Sequence, residues 1–339
     1  MLKTPSYWYR QLDDKAHWKE YLFAPLSALF QWGAYIRRTR FEAYKASIPV
    51  ICVGNLVTGG SGKTPTAIAL YTLLKAENPK SKIYFLTRGY GGIRKGPLLV
   101  EPSEHIYREV GDEALLLSNH APTIISRDRA KGAQLAEELG ADIIIMDDGL
   151  QNPTLHKDIR IMVINGEMGF GNQKTLPSGP LREPLETGFE HVDLFILIGE
   201  DTRGVLSLLP DGKPVMKGSI QLSNSIPLQS DAAYIAFAGM GYPDKFFNFL
   251  KDDLKLNVVK TESFPDHHPF RRDELKALHD DAQKLEARLI TTSKDMARLP
   301  LPVEVTEDLH VDVVNIALKF DQPEPFLDAV HAVKASASA

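Results

Sequence analysis

The residues best placed to do chemistry in this 339-residue chain form one run, Val50-Ile51-Cys52-Val53-Gly54-Asn55-Leu56-Val57-Thr58-Gly59-Gly60-Ser61-Gly62-Lys63-Thr64-Pro65. An apolar segment gives way to a glycine-rich loop that ends in Lys-Thr. Gly59, Gly60 and Gly62 let the backbone turn its N–H groups toward phosphate oxygens, Lys63 brings a mobile positive charge, and Thr64 offers a hydroxyl suited to Mg²⁺. Downstream, Ala67, Leu70, Tyr71 and Leu74 recur at helical spacing, so the positive end of a helix faces the same phosphates. Strand, loop and helix together predict an ATP-type site built from Thr58, Gly59, Gly60, Ser61, Gly62, Lys63, Thr64 and Pro65. The first glycine of the G-x-x-x-x-G-K-[ST] signature is replaced by Val57, and Gly54 lies three residues earlier.

Three further clusters carry titratable groups. Ile143-Ile144-Ile145-Met146-Asp147-Asp148-Gly149 is an apolar strand ending in paired acids. At a strand tip beside a phosphate-binding loop such an acid holds Mg²⁺ directly or through water, which assigns the metal to Thr64 with Asp147 or Asp148. The plain alternative is an ordinary Asp-Gly turn. Gly111-Asp112-Glu113 precedes the apolar run Ala114–Leu117, and on its own Asp112 reads as a helix N-cap with Glu113 in the first turn. Phe264-Pro265-Asp266-His267-His268-Pro269-Phe270 sets an acid and two imidazoles in a stiff loop. There His267 could accept a proton or orient a carboxylate, or the loop could simply cap the helix that follows. Metal binding by the two histidines is disfavoured, since no further His or Cys stands at suitable local spacing.

The elements that must position these groups alternate. Strands are predicted at Ile83–Thr87, Thr123–Ser126, Asp142–Met146, Ile159–Ile164, Asp193–Ile198, Tyr234–Ala238, Arg288–Thr292 and Val311–Ile316, with helices such as Arg129–Leu139 and Asp273–Leu285 between them. The short, near-continuous apolar strands suit burial on both faces, so the fold class is α/β: a P-loop NTPase-like parallel sheet flanked by helices. The loop-rich stretch Gly166–Pro184 predicts a second α/β lobe. The expected division is residues 1–155, with the nucleotide site, and residues 156–339, contributing to an acceptor cleft between lobes. No solenoid repeat is present, and the one low-complexity stretch is the terminal Lys334-Ala-Ser-Ala-Ser-Ala.

Composition is that of a soluble globular protein. The single Cys52 excludes an internal disulfide and reads as a small buried apolar residue, and with no cleavable signal sequence in view the cytosol is the natural compartment. Charge is uneven. Residues 1–48 carry a balance of +4 and all three tryptophans, Trp8, Trp18 and Trp32, whereas the remainder carries −9. Nucleic acid is therefore not an expected partner. The 16 residues Tyr21–Ile36 hold no charge and are followed by Arg37, Arg38 and Arg40, too short a stretch for the ~20 residues that span a bilayer. Pro25 suits a first helical turn, and Leu22, Leu26, Leu29 and Phe30 share a face that Trp32, Tyr35 and Ile36 widen. Such a helix either lies on an anionic membrane surface, arginines on lipid phosphates, or packs on its own domain.

Taken in order, several stretches together resemble one family, the tetraacyldisaccharide 4′-kinases. They are Val53-Gly54-Asn55 with Gly59–Pro65, Arg88-Gly89-Tyr90-Gly91-Gly92, Gly111-Asp112-Glu113, Asp147-Asp148-Gly149-Leu150-Gln151, Phe170-Gly171-Asn172, Leu176–Glu183, Asp266-His267 and Thr292-Ser293-Lys294-Asp295. Ala114 stands where many relatives have Pro. The resemblance implies transfer of the ATP γ-phosphate to the 4′-hydroxyl of an acylated glucosamine disaccharide 1-phosphate, a lipid acceptor, in lipid A assembly. It implies a peripheral enzyme at the cytoplasmic face of the bacterial inner membrane, and so favours the membrane reading of the N-terminal helix. It also implies Asp112 as base on the acceptor hydroxyl with His267 as partner, beside Lys63, Asp148 and Mg²⁺, while Arg88, Arg127 and Arg182 are candidates for substrate phosphates. A membrane-recruited P-loop ATPase switch without a lipid acceptor is the alternative. Its loop is similar, but those proteins carry a signature lysine where Val57 and Thr58 stand here.

Overall fold

The computed structural model describes residues 5–10, 14–223, 228–229, 231–241, 243–265, 267–299 and 310–338. Strands run in the order β1 (Val50–Gly54), β2 (Ile83–Thr87), β3 (Leu98–Leu99), β4 (Thr123–Ile125), β5 (Ile143–Asp147), β6 (Ile159–Asn165), β7 (Leu194–Ile198), β8 (Val215–Leu222), β9 (Ala233–Ala238), β10 (Asn257–Ser263), β11 (Ala287–Thr292), β12 (Val311–Val314) and β13 (Ile316–Phe320). Among the described residues they form a nine-stranded sheet ordered β13-β8-β7-β6-β1-β5-β2-β4-β3 and a four-stranded sheet ordered β10-β9-β11-β12. Only β3 and β13, at the edges of the large sheet, run antiparallel to their neighbours.

β1 lies at the centre of the large sheet and shows why its sequence is apolar throughout. Ile51 and Val53 point to one face, where Ala67, Leu70 and Leu74 of the helix Lys63–Glu77 cover them. Val50 and Cys52 point to the other, against Ala133 and Ala136 of the helix Arg129–Glu138. Burial pushes the Cys52 thiol up to about 12, so it is an inert core residue. The small sheet is built the same way, with Ile235 and Phe237 packed on Leu275 and Leu278 of the helix Arg272–Lys284, and Tyr234 and Ala236 on Phe246, Phe247 and Leu250.

The sheets do not change at residue 155. β6, β7 and β8 continue the large sheet from β1, and the change falls between Leu222 and Ala233. The loop-rich stretch Gly166–Pro184 thus connects two strands of the first sheet. Val311–Ile316, expected as one strand, is two: β12 closes the small sheet, and the chain then returns so that β13 edges the large one. The terminal low-complexity stretch belongs to a helix, Glu324–Ser338, with Phe326 and Val330 buried in the large core, while Ala339 lies outside the described residues.

The N-terminal helix spans Trp18–Thr39 and is capped at His17, whose Nδ1 accepts from Lys19 N while Glu20 Oε1 accepts from His17 N. Pro25 therefore lies inside the helix and not in its first turn. Its inward face is polar: Glu20 and Ser27 are buried, with Ser27 Oγ donating to Thr175 O at 2.9 Å and Glu20 paired with Arg10 at 2.7 Å. The apolar face is exposed, with Tyr21 at 70%, Leu29 at 62% and Trp32 at 64% of their full accessibility. No helix among the described residues is long and apolar enough to cross a membrane.

Candidate active site

The glycine-rich loop leaves the C-terminal end of β1 and enters the helix Lys63–Glu77. Gly59 (φ 117°) and Gly62 (φ 90°) occupy left-handed conformations that a side chain would strain, and a Cβ on Gly62 would come within 2.6 Å of Ile198 Cδ1. Nothing lies within 4 Å of a Cβ on Gly60, so the loop faces open space. The Ser61 hydroxyl is buried without a partner. Lys63 Nζ donates to Asn55 Oδ1 at 3.3 Å and lies 3.9 Å from Asp148 Oδ2.

Parallel pairing of β5 with β1 sets Asp147 opposite Val53 and so brings the paired acids beside this loop. Thr64 Oγ1 donates to Asp147 Oδ2 at 3.0 Å, and Asp147 Oδ1 is buried with no partner at all. Burial pushes the Asp147 carboxyl up to about 7, the nearby Glu113 charge adds to this, and Lys63 opposes it. A buried carboxylate with an idle oxygen beside a threonine hydroxyl is a donor set that fits a divalent cation. Asp148 is turned differently, with φ 57°. Arg182 grips it through two bonds, Nη1–Oδ1 at 2.6 Å and Nη2–Oδ2 at 3.2 Å. Burial would raise the Asp148 carboxyl, but Lys63 and Arg182 more than offset this and hold it below the usual carboxylate range. Arg182 is therefore committed to Asp148, whereas Arg88 and Arg127 are exposed.

The second cluster joins the two sheets. Asp112 is not an N-cap: Gly111 holds that position with φ 91°, and Asp112 is the first residue of the helix Asp112–Ser118 and buried. Its Oδ2 lies 3.0 Å from His267 Nδ1, on the loop after β10. His268 instead contacts Glu274 Oε2 at 2.8 Å, so the two adjacent histidines face different acids. The Tyr90 ring packs on His267 with centroids 5.4 Å apart. Asp266 lies outside the described residues. Burial would raise the Asp112 carboxyl, but the His267 bond and the charges of Lys294, His267 and Arg298 overcome it and hold it at about 2. The Asp112 carboxylate thus meets the His267 imidazole across the boundary between the two units. Among the described residues no group of three or more His, Cys, Asp or Glu is arranged to hold a metal.

Sequence reasoning named Lys63, Thr64, Asp147, Asp148, Asp112 and His267, but gave no role to several groups that hold them. Gln151 Nε2 donates to Asn55 O at 3.1 Å and to Glu183 Oε1 at 2.9 Å, tying the loop to the segment that carries Arg182. Glu183 also pairs with Arg38, so that arginine is engaged within the protein. Arg129 is buried, and burial pulls its guanidinium down to about 10. Lys294 reaches Glu113 at 3.0 Å and Asp112 at 4.0 Å. The signal available for Gln151, Glu183 and Lys294 was their presence in the stretches that carry the resemblance.

The sequence profile of the tetraacyldisaccharide-1-P 4′-kinase family matches residues 19–334. The chain is 42% identical to the tetraacyldisaccharide 4′-kinase of Paramagnetospirillum magneticum over 97% of its length and 99% of that protein. It is 43% identical to that of Gluconacetobacter diazotrophicus over 96% and 98%. Its structure is similar to LpxK from Aquifex aeolicus, solved in complex with ATP, with a TM-score of 0.74 and 28% identity over 93% of this chain and 99% of that one. The loop, the paired acids and the Asp–His pair thus sit in a chain that belongs to the tetraacyldisaccharide 4′-kinase family.

Proposed function

We infer that this chain is an ATP-dependent kinase that moves the γ-phosphate to the 4′-hydroxyl of an acylated glucosamine disaccharide 1-phosphate in lipid A biosynthesis. What supports the site-level reading is that the two clusters adjoin: the charge of Glu113, next to Asp112, acts on Asp147 beside the nucleotide loop, and His267 of the small-sheet unit meets Asp112. The nucleotide loop and paired acids come from the large sheet, and the Asp112–His267 pair is closed by the small one. In this reading Thr58–Pro65 cradle the phosphates and Lys63 offsets the charge that spreads over the transferring group. Thr64 and Asp147 would hold Mg²⁺, which when bound would neutralise phosphate charge, and Asp148 keeps Lys63 aimed. The Asp112–His267 pair takes the proton of the attacking hydroxyl, Asp112 staying ionised and fixing the imidazole while the pair acts as base. The large-sheet unit is the nucleotide lobe, and the small-sheet unit completes the acceptor cleft.

The exposed face of Trp18–Thr39 supports docking on an anionic bilayer, peripherally, at the cytoplasmic face of the inner membrane where a lipid-borne acceptor would be met. Arg40 and Arg37, exposed beside that face, would serve the lipid phosphates, Arg37 giving up its long 3.4 Å bond to Gln151 O to do so. No observation favours the ATPase-switch alternative. The test is incubation with γ-labelled ATP, Mg²⁺ and the acylated disaccharide 1-phosphate. The label is expected on the 4′-oxygen of the lipid, whereas release of inorganic phosphate alone would overturn the reading.

A further inference from the structure

Arg298 is, among the described residues, the largest fully buried side chain, 1% exposed, and the proposed proton transfer does not use it. Its anchors all belong to the small-sheet unit: Nη2 donates to Asp295 Oδ1 at 2.8 Å and Gly239 O at 2.9 Å, and Nε donates to Lys294 O at 3.3 Å. Asp295 is itself held, accepting from Gly239 N at 2.9 Å and from Thr292 Oγ1 at 2.6 Å. From this frame Nε lies 3.4 Å from Asp112 Oδ2, the same oxygen that His267 contacts and a residue of the other unit. Nη1 finds no partner.

A residue kept only to fill space would not be a guanidinium. Burying one demands compensation for lost hydration, and here one donor stays unsatisfied even so. The compensation for its charge comes from Asp295 within its own unit and Asp112 across the boundary. Lys294 also faces Asp112, but from 4.0 Å, and it gives its closer contact to Glu113. The groups facing Asp112 are thus His267 from the loop after β10 and Lys294 and Arg298 from the segment after β11, with Glu113 beside it on its own helix.

We propose that Arg298 is a positioning residue for the Asp112–His267 pair: anchored in one unit, it pins the carboxylate of the other so that carboxylate and imidazole meet in register. This rests on the reading of that pair as the base. It makes the base a product of the boundary between units, since neither unit alone holds both the carboxylate and the groups that orient it.

Steady-state transfer from ATP to the acylated disaccharide 1-phosphate, with the full chain, tests this. Arg298→Gln is expected to lower kcat by roughly 10- to 100-fold, the scale of a small misplacement of a reacting group, with KM for ATP changed by less than about twofold. Placed on Asp112→Asn, it should bring no further loss, because it acts only through that carboxylate. Wild-type kcat in Arg298→Gln, or an additive loss on Asp112→Asn, would overturn the proposal. If Arg298→Gln does not fold, Arg298→Lys decides: it keeps the buried charge but cannot span Asp295, Gly239 and Asp112 at once, so a fall of at least about fivefold in kcat supports the proposal and wild-type kcat refutes it. Wild-type kcat in Asp112→Asn itself would instead defeat the assignment of the base. A crippled Asp112→Asn beside an unaffected Arg298→Gln would defeat this inference alone.

Discussion

The helices Trp18–Thr39 and Lys63–Glu77 are built from similar residues and packed in opposite senses. The second turns Ala67, Leu70 and Leu74 into the core beneath β1, so its apolar residues are satisfied by its own chain. The first turns Glu20 and Ser27 inward and leaves Tyr21, Leu22, Leu26, Leu29 and Trp32 in solvent. A soluble helix gains nothing by this inversion, because the exposed apolar area keeps its full hydration penalty. Each helix therefore finds its apolar partner in a different place. For one it is the sheet that supports the nucleotide loop, and for the other we propose the bilayer that carries the acceptor. Arg38 joins the two regions, since it pairs with Glu183, which reaches the loop through Gln151 and Asn55.

The largest expected effect lies at the end of the core helix. Lys63→Ala should lower kcat by at least ~10²-fold, as losing a main electrostatic stabiliser of the transferring phosphoryl group does, and should leave vesicle binding unchanged. Asp112→Asn and His267→Ala should each lower kcat on a comparable scale, about 10²-fold, with the double variant no worse than the more damaged single one. Kinetics on a folded sample read both. A double variant with multiplied losses would separate the two residues into independent roles.

Stability should then divide the helices. Leu70→Ala is expected to destabilise the fold by about 2–5 kcal/mol through the cavity left under β1. The matching change in the other helix, Leu26→Ala, should stay within about 0.5 kcal/mol in denaturant unfolding and instead weaken vesicle binding. Equal destabilisation at both sites would mean that the N-terminal face is covered within the protein. The smallest effect is expected from charge: Arg37→Gln with Arg40→Gln should weaken binding to anionic vesicles by about 1 kcal/mol each, a loss that shrinks with added salt. Arg38→Gln should do otherwise, lowering kcat through Glu183 and Gln151 with little effect on vesicle binding at high salt.

What could be read from sequence was whatever local spacing encodes. The loop Gly59–Thr64, the strand ending in Asp147-Asp148 and the central strands showed themselves because parallel strands buried on both faces are apolar throughout. β8 and β10 were missed because their burial alternates along the strand, and β3 and β13 because they are short or peripheral. The stretch Gly166–Pro184, rich in Gly and Pro, marks a change of direction and not a change of sheet, and the sheets exchange only after Leu222. Asp112 read as a cap because its partners, His267, Lys294 and Arg298, lie more than 150 positions away and no periodicity connects them. Only the family resemblance gave it a chemical role, and only the fold gave it Arg298.

The link between the inside-out helix and the phosphoryl-transfer site is tested most directly by transfer kinetics on anionic vesicles bearing the acylated acceptor. Leu22→Ser, Leu26→Ser and Leu29→Ser together should leave KM for ATP and the unfolding midpoint unchanged. The rate on vesicles should nonetheless fall by at least about tenfold, and return toward wild type when the acceptor is presented in dispersed detergent. Undiminished transfer on vesicles by this variant would contradict the account and assign the exposed face some other partner.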